Sequence, residues 1–385
     1  MLSIKHSSAS QFAIAVDTTE SFKSSNAPLL ETKWQEDIYN VLQDIVPDLR
    51  SYVGSNDPLT DLLPAGRLDS VLMVRFKQAL EDKLQLKFSI PITLLFKVNT
   101  VADIEQELLK LSIATNPGLV TTFSNEGSKT PLFLFPPGGG ESFAWLELIR
   151  YLPDRPVYAF RLRGLLAGEE VFGSLDEMVD TFESEILALH PQGPYALLGL
   201  CFGGTLAFEV AKRFEARGEQ VSFLGGIDNA PSIAHMRFEA LRYFIVDILA
   251  SRRMLSREEQ AEMKSKLKDT HEDQFPQILM SKYRSRLSTV GITVDRMTTW
   301  QKVFYGVASI TEHYEPTGKV SNYHSFYAAP RPEWEIPEER WAVLTGSWAD
   351  FSRESYHKRV DGDHYTVLTK ANIEVFKEAL FEGLK

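Results

Sequence analysis

The run Pro194-Tyr-Ala-Leu-Leu-Gly-Leu-Cys-Phe-Gly-Gly204 drives an apolar strand into a glycine-flanked turn and places the only cysteine of the chain, Cys201, at its apex. A strand that turns this sharply into a helix leaves no room for side chains two residues before and two residues after the apex, which is where Gly199 and Gly203 stand. An isolated cysteine is commonly a small buried hydrophobe, but here the flanking glycines and the preceding apolar strand set its side chain at the turn, where an attacking atom is exposed. The pattern demands a strand followed immediately by a helix.

The rest of the chain after about residue 130 supplies the sheet this strand needs. Leu132-Phe-Leu-Phe135 runs into Pro136-Pro-Gly-Gly-Gly140, followed by the apolar runs Val157-Tyr-Ala-Phe160, Tyr195 to Leu198 and Val221 to Asp228, each separated by a helical segment. Short apolar strands joined by helical crossovers read as a parallel sheet covered on both faces, so the fold class is α/β. From about 232 to 320 charged amphipathic helices interrupt the rhythm, with Phe238, Leu241, Phe244, Ile245, Ile248 and Leu249 on one face, and this segment reads as an inserted lid. Its apolar stripe fits packing against the core, and some of its residues also suit the lining of an acyl chamber. The sheet is expected to resume with Ser325 to Ala328 and with Trp341-Ala-Val-Leu-Thr345.

Net charge excludes some partners. With 41 basic against 52 acidic residues, the formal charge of −11 gives no footprint for a phosphate backbone or an anionic lipid surface, so neither nucleic acid nor membrane is expected. No apolar run approaches the roughly 20 residues of a membrane span, and Phe12 to Val16 is too short for a signal sequence, so a cytoplasmic location is expected. A single cysteine excludes an intrachain disulfide.

Two further polar landmarks follow Cys201. Asp228 ends the strand after the turn and its helix, and His364, in Gly362-Asp-His-Tyr-Thr366, precedes the last helix. Nucleophile, acid, histidine is the chain order of an α/β-hydrolase triad, the lid falling between acid and histidine. An imidazole that takes the thiol proton raises the fraction of attacking thiolate, and Asp228 would fix the imidazole tautomer. The oxyanion formed on attack needs aligned N–H donors. The turn offers that of Phe202, and because Pro136 and Pro137 have none, Gly138 is the first donor of the glycine-rich loop. These glycines also suit a plain tight turn. Asp228 suits a cap for the segment at Asn229, Asp350 is a rival acid, and His190, His313 and His324 are rival histidines.

Ahead of this domain, residues 1–30 are polar and aperiodic and read as a disordered leader. Trp34, Ile38, Val41, Leu42 and Ile45, then Leu72, Phe76, Leu80 and Leu84, then the segment from Val101 give helical stripes of a small all-α bundle over 31–113. Polar residues with Asn116-Pro-Gly and Asn125-Glu-Gly mark a linker over 114–130. Within the bundle, Gly66-Arg-Leu-Asp69-Ser70 opens a helix. This resembles an acyl or peptidyl carrier domain, a resemblance that implies 4'-phosphopantetheine on Ser70, loaded by a phosphopantetheinyl transferase. A helix N-terminus tolerates the phosphodiester. Carriers usually have glycine three before the serine, where this chain has Arg67, and an ordinary helix cap also fits the motif.

Residues 131–385 resemble type I thioesterases of nonribosomal peptide and polyketide synthases. The segments Asp154-Arg-Pro-Val-Tyr-Ala-Phe-Arg-Leu-Arg-Gly164, Pro191-Gln-Gly-Pro-Tyr-Ala196 and Leu206-Ala-Phe-Glu-Val-Ala-Lys212 are similar to fungal synthetase-like enzymes of the atromentin or terrequinone type. That resemblance implies an adenylation–carrier–thioesterase layout and the joining of two aryl-2-oxo acids. This chain has no adenylation domain, so one would act in trans or in a larger protein. It also has Cys201 where many relatives have serine and Asp228 where several have asparagine. The expectation is a carrier–thioesterase didomain taking an acyl thioester from Ser70 onto Cys201. A docking module without catalysis and a stand-alone esterase are the alternatives.

Overall fold

The computed structural model describes residues 33–45, 70–84, 90, 94–95, 98, 100–113, 118–152, 154–166, 168–232, 242–251, 254–288, 292–331, 334 and 336–385. The leader, the Gly66 to Asp69 part of the carrier motif, and Phe238 and Leu241 of the lid stripe lie outside these residues.

The first long helices among the described residues are α1 (Lys33–Ile45), α2 (Ser70–Lys83) and α3 (Val101–Ile113). Their apolar stripes meet, with Ile38, Leu80 and Ile104 each fully buried. Thr100 and Asp103 cap α3 reciprocally, each side chain bonding the other's backbone N–H at 3.0 Å, which satisfies donors the first helical turn leaves open. Gln35 donates to Glu105 at 2.7 Å and ties α1 to α3.

The remainder is built on a seven-stranded sheet. Its strands are β1 (Val120–Ser124), β2 (Leu132–Phe135), β3 (Val157–Phe160), β4 (Tyr195–Leu200), β5 (Val221–Ile227), β6 (Val320–Ala329) and β7 (Ser352–Asp363), in the spatial order 1-3-2-4-5-6-7. All neighbours are parallel except β1, which runs antiparallel to β3. The central strands β2 and β4 are buried along their whole length, as a sheet covered on both faces requires. One face carries α5 (Leu175–Leu189) and α6 (Phe202–Ala216), where Phe133, Phe135, Phe160, Phe182 and Phe208 share a core. On the other face a short α4 (Leu146–Ile149) and the last helix α12 (Ile373–Gly383) bury Leu148, Phe376 and Leu380. Each fully buried Phe or Leu contributes about 1.5–3 kcal/mol relative to exposure.

Between β5 and β6 stand α7 (Phe244–Ser251), α8 (Arg257–Leu267), α9 (Phe275–Ser288) and α10 (Val294–Thr311), which carry a core of their own around Leu249, Met263, Leu279 and Met297. Among the described residues no helix is long and apolar enough to cross a membrane.

Two expectations are corrected. Trp341 to Thr345 is no strand but part of a helix, α11 (Glu338–Gly346). Trp341 and Thr345, one turn apart, are buried at 2% and 0% exposure while Val343 is 71% exposed, so the apolar run has helical and not alternating burial. Pro337 and the acidic pair Glu338 and Glu339 start it. The strand that closes this side is β7, whose charged residues make it a polar edge. The expected linker, in turn, contains β1, which covers the opposite edge.

Candidate active site

Strands β2, β4 and β5 end side by side, with Phe135 paired to Gly199 and Gly199 to Gly226. In open α/β sheets the crevice beyond the strand ends is where ligands bind. The turn after β4 takes the shape its glycines permit. Cys201 has φ 54 and ψ −127, a conformation that side chains rarely adopt. A Cβ on Gly199 would lie 2.0 Å from the Gly203 carbonyl carbon, and one on Gly203 would lie 2.4 Å from the carbonyl oxygen of Phe135. The Cys201 N–H donates to Ile227 O at 2.8 Å, which joins the turn to the end of β5.

Asp228 follows β5 with φ 52 and a fully buried carboxylate. One oxygen, Oδ2, lies 2.6 Å from His364 Nδ1. The other accepts from Trp341 Nε1 at 2.9 Å and from the Ala328 N–H at 3.1 Å. Its neighbour Asn229 accepts from Tyr323 Oη at 3.2 Å, faces Thr205 at 3.3 Å and takes the Trp348 indole N–H on its carbonyl at 3.0 Å, so the segment after β5 is fixed on several sides. The Asp228 side chain points at His364 and does not cap the following segment.

Burial raises the Cys201 thiol, but the charge and hydrogen bond of His364 and the Phe202 N–H together hold it below its ordinary value. Burial opposes charge on His364 as well, yet Cys201 and Asp228 push it up to about 10. The two opposed shifts favour movement of the thiol proton from Cys201 toward His364, whose ring Asp228 holds from behind. A thiolate attacks carbonyl carbon, an imidazolium can protonate the departing group, and the carboxylate holds the ring in one orientation.

Gly138 lies just past the end of β2, and Phe202 is the first residue of α6, so both candidate N–H donors stand at the same end of the sheet as Cys201. The loop is tightened by the Gly140 N–H to Pro137 O at 2.8 Å. Ser70 is the first residue of α2, and its side chain lies outside the described set. The rivals lie elsewhere. Asp350 and His313 are exposed, His190 packs its ring edge-on against Tyr195 at the beginning of β4, and His324 is wedged against Phe223.

Sequence reasoning missed the tryptophans. Trp341 bonds the acid, and Trp334 sets its ring 4.9 Å from that of His364, edge-on at 68°, and 5.2 Å from that of Trp341. The signal available is Trp334-Glu-Ile-Pro-Glu-Glu-Arg-Trp341, an indole pair bracketing a helix start, which the strand expected over Trp341 to Thr345 obscures.

The model of the thioesterase domain family matches residues 130–381. The chain belongs to that family. Thioesterase domains have the α/β-hydrolase fold, and the strand order, the turn at Cys201 and the inserted helices are its form in this chain. The nonribosomal peptide synthetase acyN of Ascocoryne sarcoides is 32% identical over 372 residues, covering 94% of this chain and 39% of that protein. The nonribosomal peptide synthetase atrA of Aspergillus terreus is 31% identical over 324 residues, covering 83% of this chain and 35% of that protein. The thioesterase chain thus spans less than half the length of these curated relatives. Among solved structures, the four-domain nonribosomal peptide synthetase holo-AB3403, bound to AMP and glycine, is similar in fold, with a TM-score of 0.60 at 20% identity over 95% of this chain and 27% of that one.

Proposed function

We propose that this thioesterase takes an acyl group from a pantetheine thioester onto Cys201 and passes it to a second nucleophile. Cys201 attacks the carbonyl, Phe202 and Gly138 donate to the oxyanion, His364 protonates the departing pantetheine thiolate, and Asp228 orients His364. The single observation that carries this reading is the 2.6 Å contact of His364 Nδ1 with Asp228, made beside a thiol held in the left-handed turn of Cys201. Residues 31–113 act as the carrier, with phosphopantetheine on Ser70, and an adenylation domain elsewhere supplies the acyl group. Relatives that are whole synthetases, and a fold likeness to a four-domain synthetase over nearly the whole chain, support that part.

Transfer from one thiol to another exchanges one thioester for another, so the acyl group on Cys201 stays activated, unlike a serine ester. An activated intermediate suits attack by carbon or amine, and condensation or cyclisation, as in the joining of aryl-2-oxo acids, is favoured over hydrolysis where water is kept out. The lid supports this, since Phe244 of α7 and Phe304 of α10 stack at 3.9 Å over the Pro137 to Gly140 loop.

Intact-mass measurement tests the reading. After treatment with a phosphopantetheinyl transferase and an aryl-2-oxo acyl coenzyme A, Ser70 gains the acyl-pantetheine mass and Cys201 acquires the acyl group. A Cys201→Ala variant then retains the acyl group on Ser70. Failure to load Ser70 removes the carrier from the proposal, turnover by Cys201→Ala removes the nucleophile, and release of free acid alone removes the condensation.

A further inference from the structure

Helix α10 of the lid reaches the glycine-rich loop along one face. Residues 300, 303, 304 and 307 recur at the spacing that aligns side chains on a helix. Val303 would meet a Cβ on Gly140 at 3.1 Å, Phe304 would meet one on Gly138 at 3.4 Å, and Val307 reaches the same Gly138 position at 3.8 Å. Phe244 fills the corresponding space at Gly139, at 3.1 Å. At the N-terminal end of this face the contact changes character: the Trp300 indole N–H donates to Glu141 Oε1 at 2.9 Å. Glu141 is the residue directly after the three glycines. The last glycine beside it is fixed to the sheet side, where the Leu162 N–H donates to Gly140 O at 2.9 Å.

A run of glycines has no side chains with which to hold its own shape, and its backbone conformations are close in energy. Donors for a developing oxyanion must nevertheless be fixed beforehand, because misplacement by about 1 Å costs roughly 100-fold in rate. Apolar contact with Phe304 and Val307 limits how far the loop can rise but sets no direction. A hydrogen bond between a rigid indole and a carboxylate adjacent to the loop does set one.

We propose that Trp300 and Glu141 are positioning residues that aim the Gly138 N–H at the oxygen of a carbonyl attacked by Cys201, making the lid part of the oxyanion site. The proposal rests on the reading of Cys201 and Gly138 given above.

The test uses the full chain, phenylacetyl-N-acetylcysteamine as thioester substrate and phenylacetaldehyde as inhibitor. On inhibition, the Cys201 Sγ lone pair bonds to the aldehyde carbon, the carbonyl π pair becomes the oxyanion, and the thiol proton stays on His364 as the balancing charge. Trp300→Phe keeps the ring packing and removes the donor; its kcat is expected to fall by ~10- to 100-fold with KM changed by less than about twofold, and aldehyde affinity to weaken by the same factor. Glu141→Ala is expected to behave alike, and Glu141→Gln, which keeps the acceptor oxygen, to stay within about twofold of the native rate. Alkylation of Cys201 by iodoacetamide involves no oxyanion and should be unchanged throughout. Unaltered kcat and aldehyde affinity in Glu141→Ala and Trp300→Phe would overturn the proposal, as would a parallel loss of alkylation, which would indicate general damage to the site. If Trp300→Phe does not fold, Glu141→Ala and Glu141→Gln decide it. An active Cys201→Ala overturns the proposed function along with the inference; an inactive Cys201→Ala beside fully active Trp300→Phe and Glu141→Ala overturns the inference alone.

Discussion

Trp341 donates its indole N–H to Asp228 Oδ1 at 2.9 Å, so the carboxylate that faces His364 with one oxygen is held through the other by α11, the helix between β6 and β7. A buried carboxylate free to rotate would trade that alignment for whichever donor was nearest. The indole and the Ala328 N–H remove the freedom.

Trp341→Phe preserves much of the packing but takes away the donor. A buried acceptor that loses one charge-assisted bond destabilises the protein by about 1–3 kcal/mol. Thermal unfolding should show that loss, and thioester turnover should fall by roughly tenfold, since His364 is then less firmly oriented.

The pH dependence follows from the signs of the two shifts. The Cys201 thiol is lowered from its ordinary 9.0, so the thiolate persists into the acid side of that value, and the midpoint of its alkylation by iodoacetamide is expected below pH 9. Turnover also needs the imidazolium proton, so it should fall on the alkaline side as His364 loses its charge at about 10. In His364→Ala the alkylation midpoint should move up, because the cation that favours the thiolate is gone. An unchanged midpoint would show that His364 does not act on the thiol.

Gly203→Ala places a Cβ 2.4 Å from Phe135 O and 2.7 Å from Pro136 O, both backbone atoms that cannot swing aside. The expected loss exceeds about 4 kcal/mol, a range reserved for such conflicts, and urea unfolding or outright insolubility would report it. Gly218→Ala makes a control. Its φ of +80 is unfavourable to alanine, but nothing lies within 4 Å, so a loss of only about 1 kcal/mol is expected.

Phe304→Ala removes the stack with Phe244 and opens space above Gly138. With hydroxylamine offered as a competing nucleophile, the ratio of free acid to hydroxamate should rise by about threefold or more as water gains access. Mass spectrometry of the products measures it, and a constant ratio would mean that the pair does not shield the acyl group.

The turn at Cys201 was legible because its determinants are local: two glycines and a preceding apolar strand fit in one short window. The contact of Asp228 with His364 was legible from chain order. What escaped depends on tertiary partners. β1 shows one buried residue, Phe123, among half-buried ones, and no periodic signal marks so short an edge. β7 carries Arg353, Glu354, Lys358 and Arg359 along an open edge, so its hydropathy reads as a loop. The run Trp341 to Leu344 is as apolar as a strand, and only the 71% exposure of Val343 separates the two readings. An indole that bonds a carboxylate 113 residues away leaves no mark in either local sequence.

Cys201 and Asp228, at the ends of neighbouring strands, are two of only three non-glycine residues with positive φ among those described. Each such conformation is disfavoured for an ordinary residue by about 1–3 kcal/mol. Glycine would relax either position, yet glycine has no sulfur and no carboxylate. Under the proposed function, two positions whose backbone favours glycine are then two that cannot accept it, which sets folding against chemistry in this domain. On that reading, drift toward a sturdier protein would pass through its own inactivation, and a stabilised but silent copy is the form in which this domain would be expected to decay.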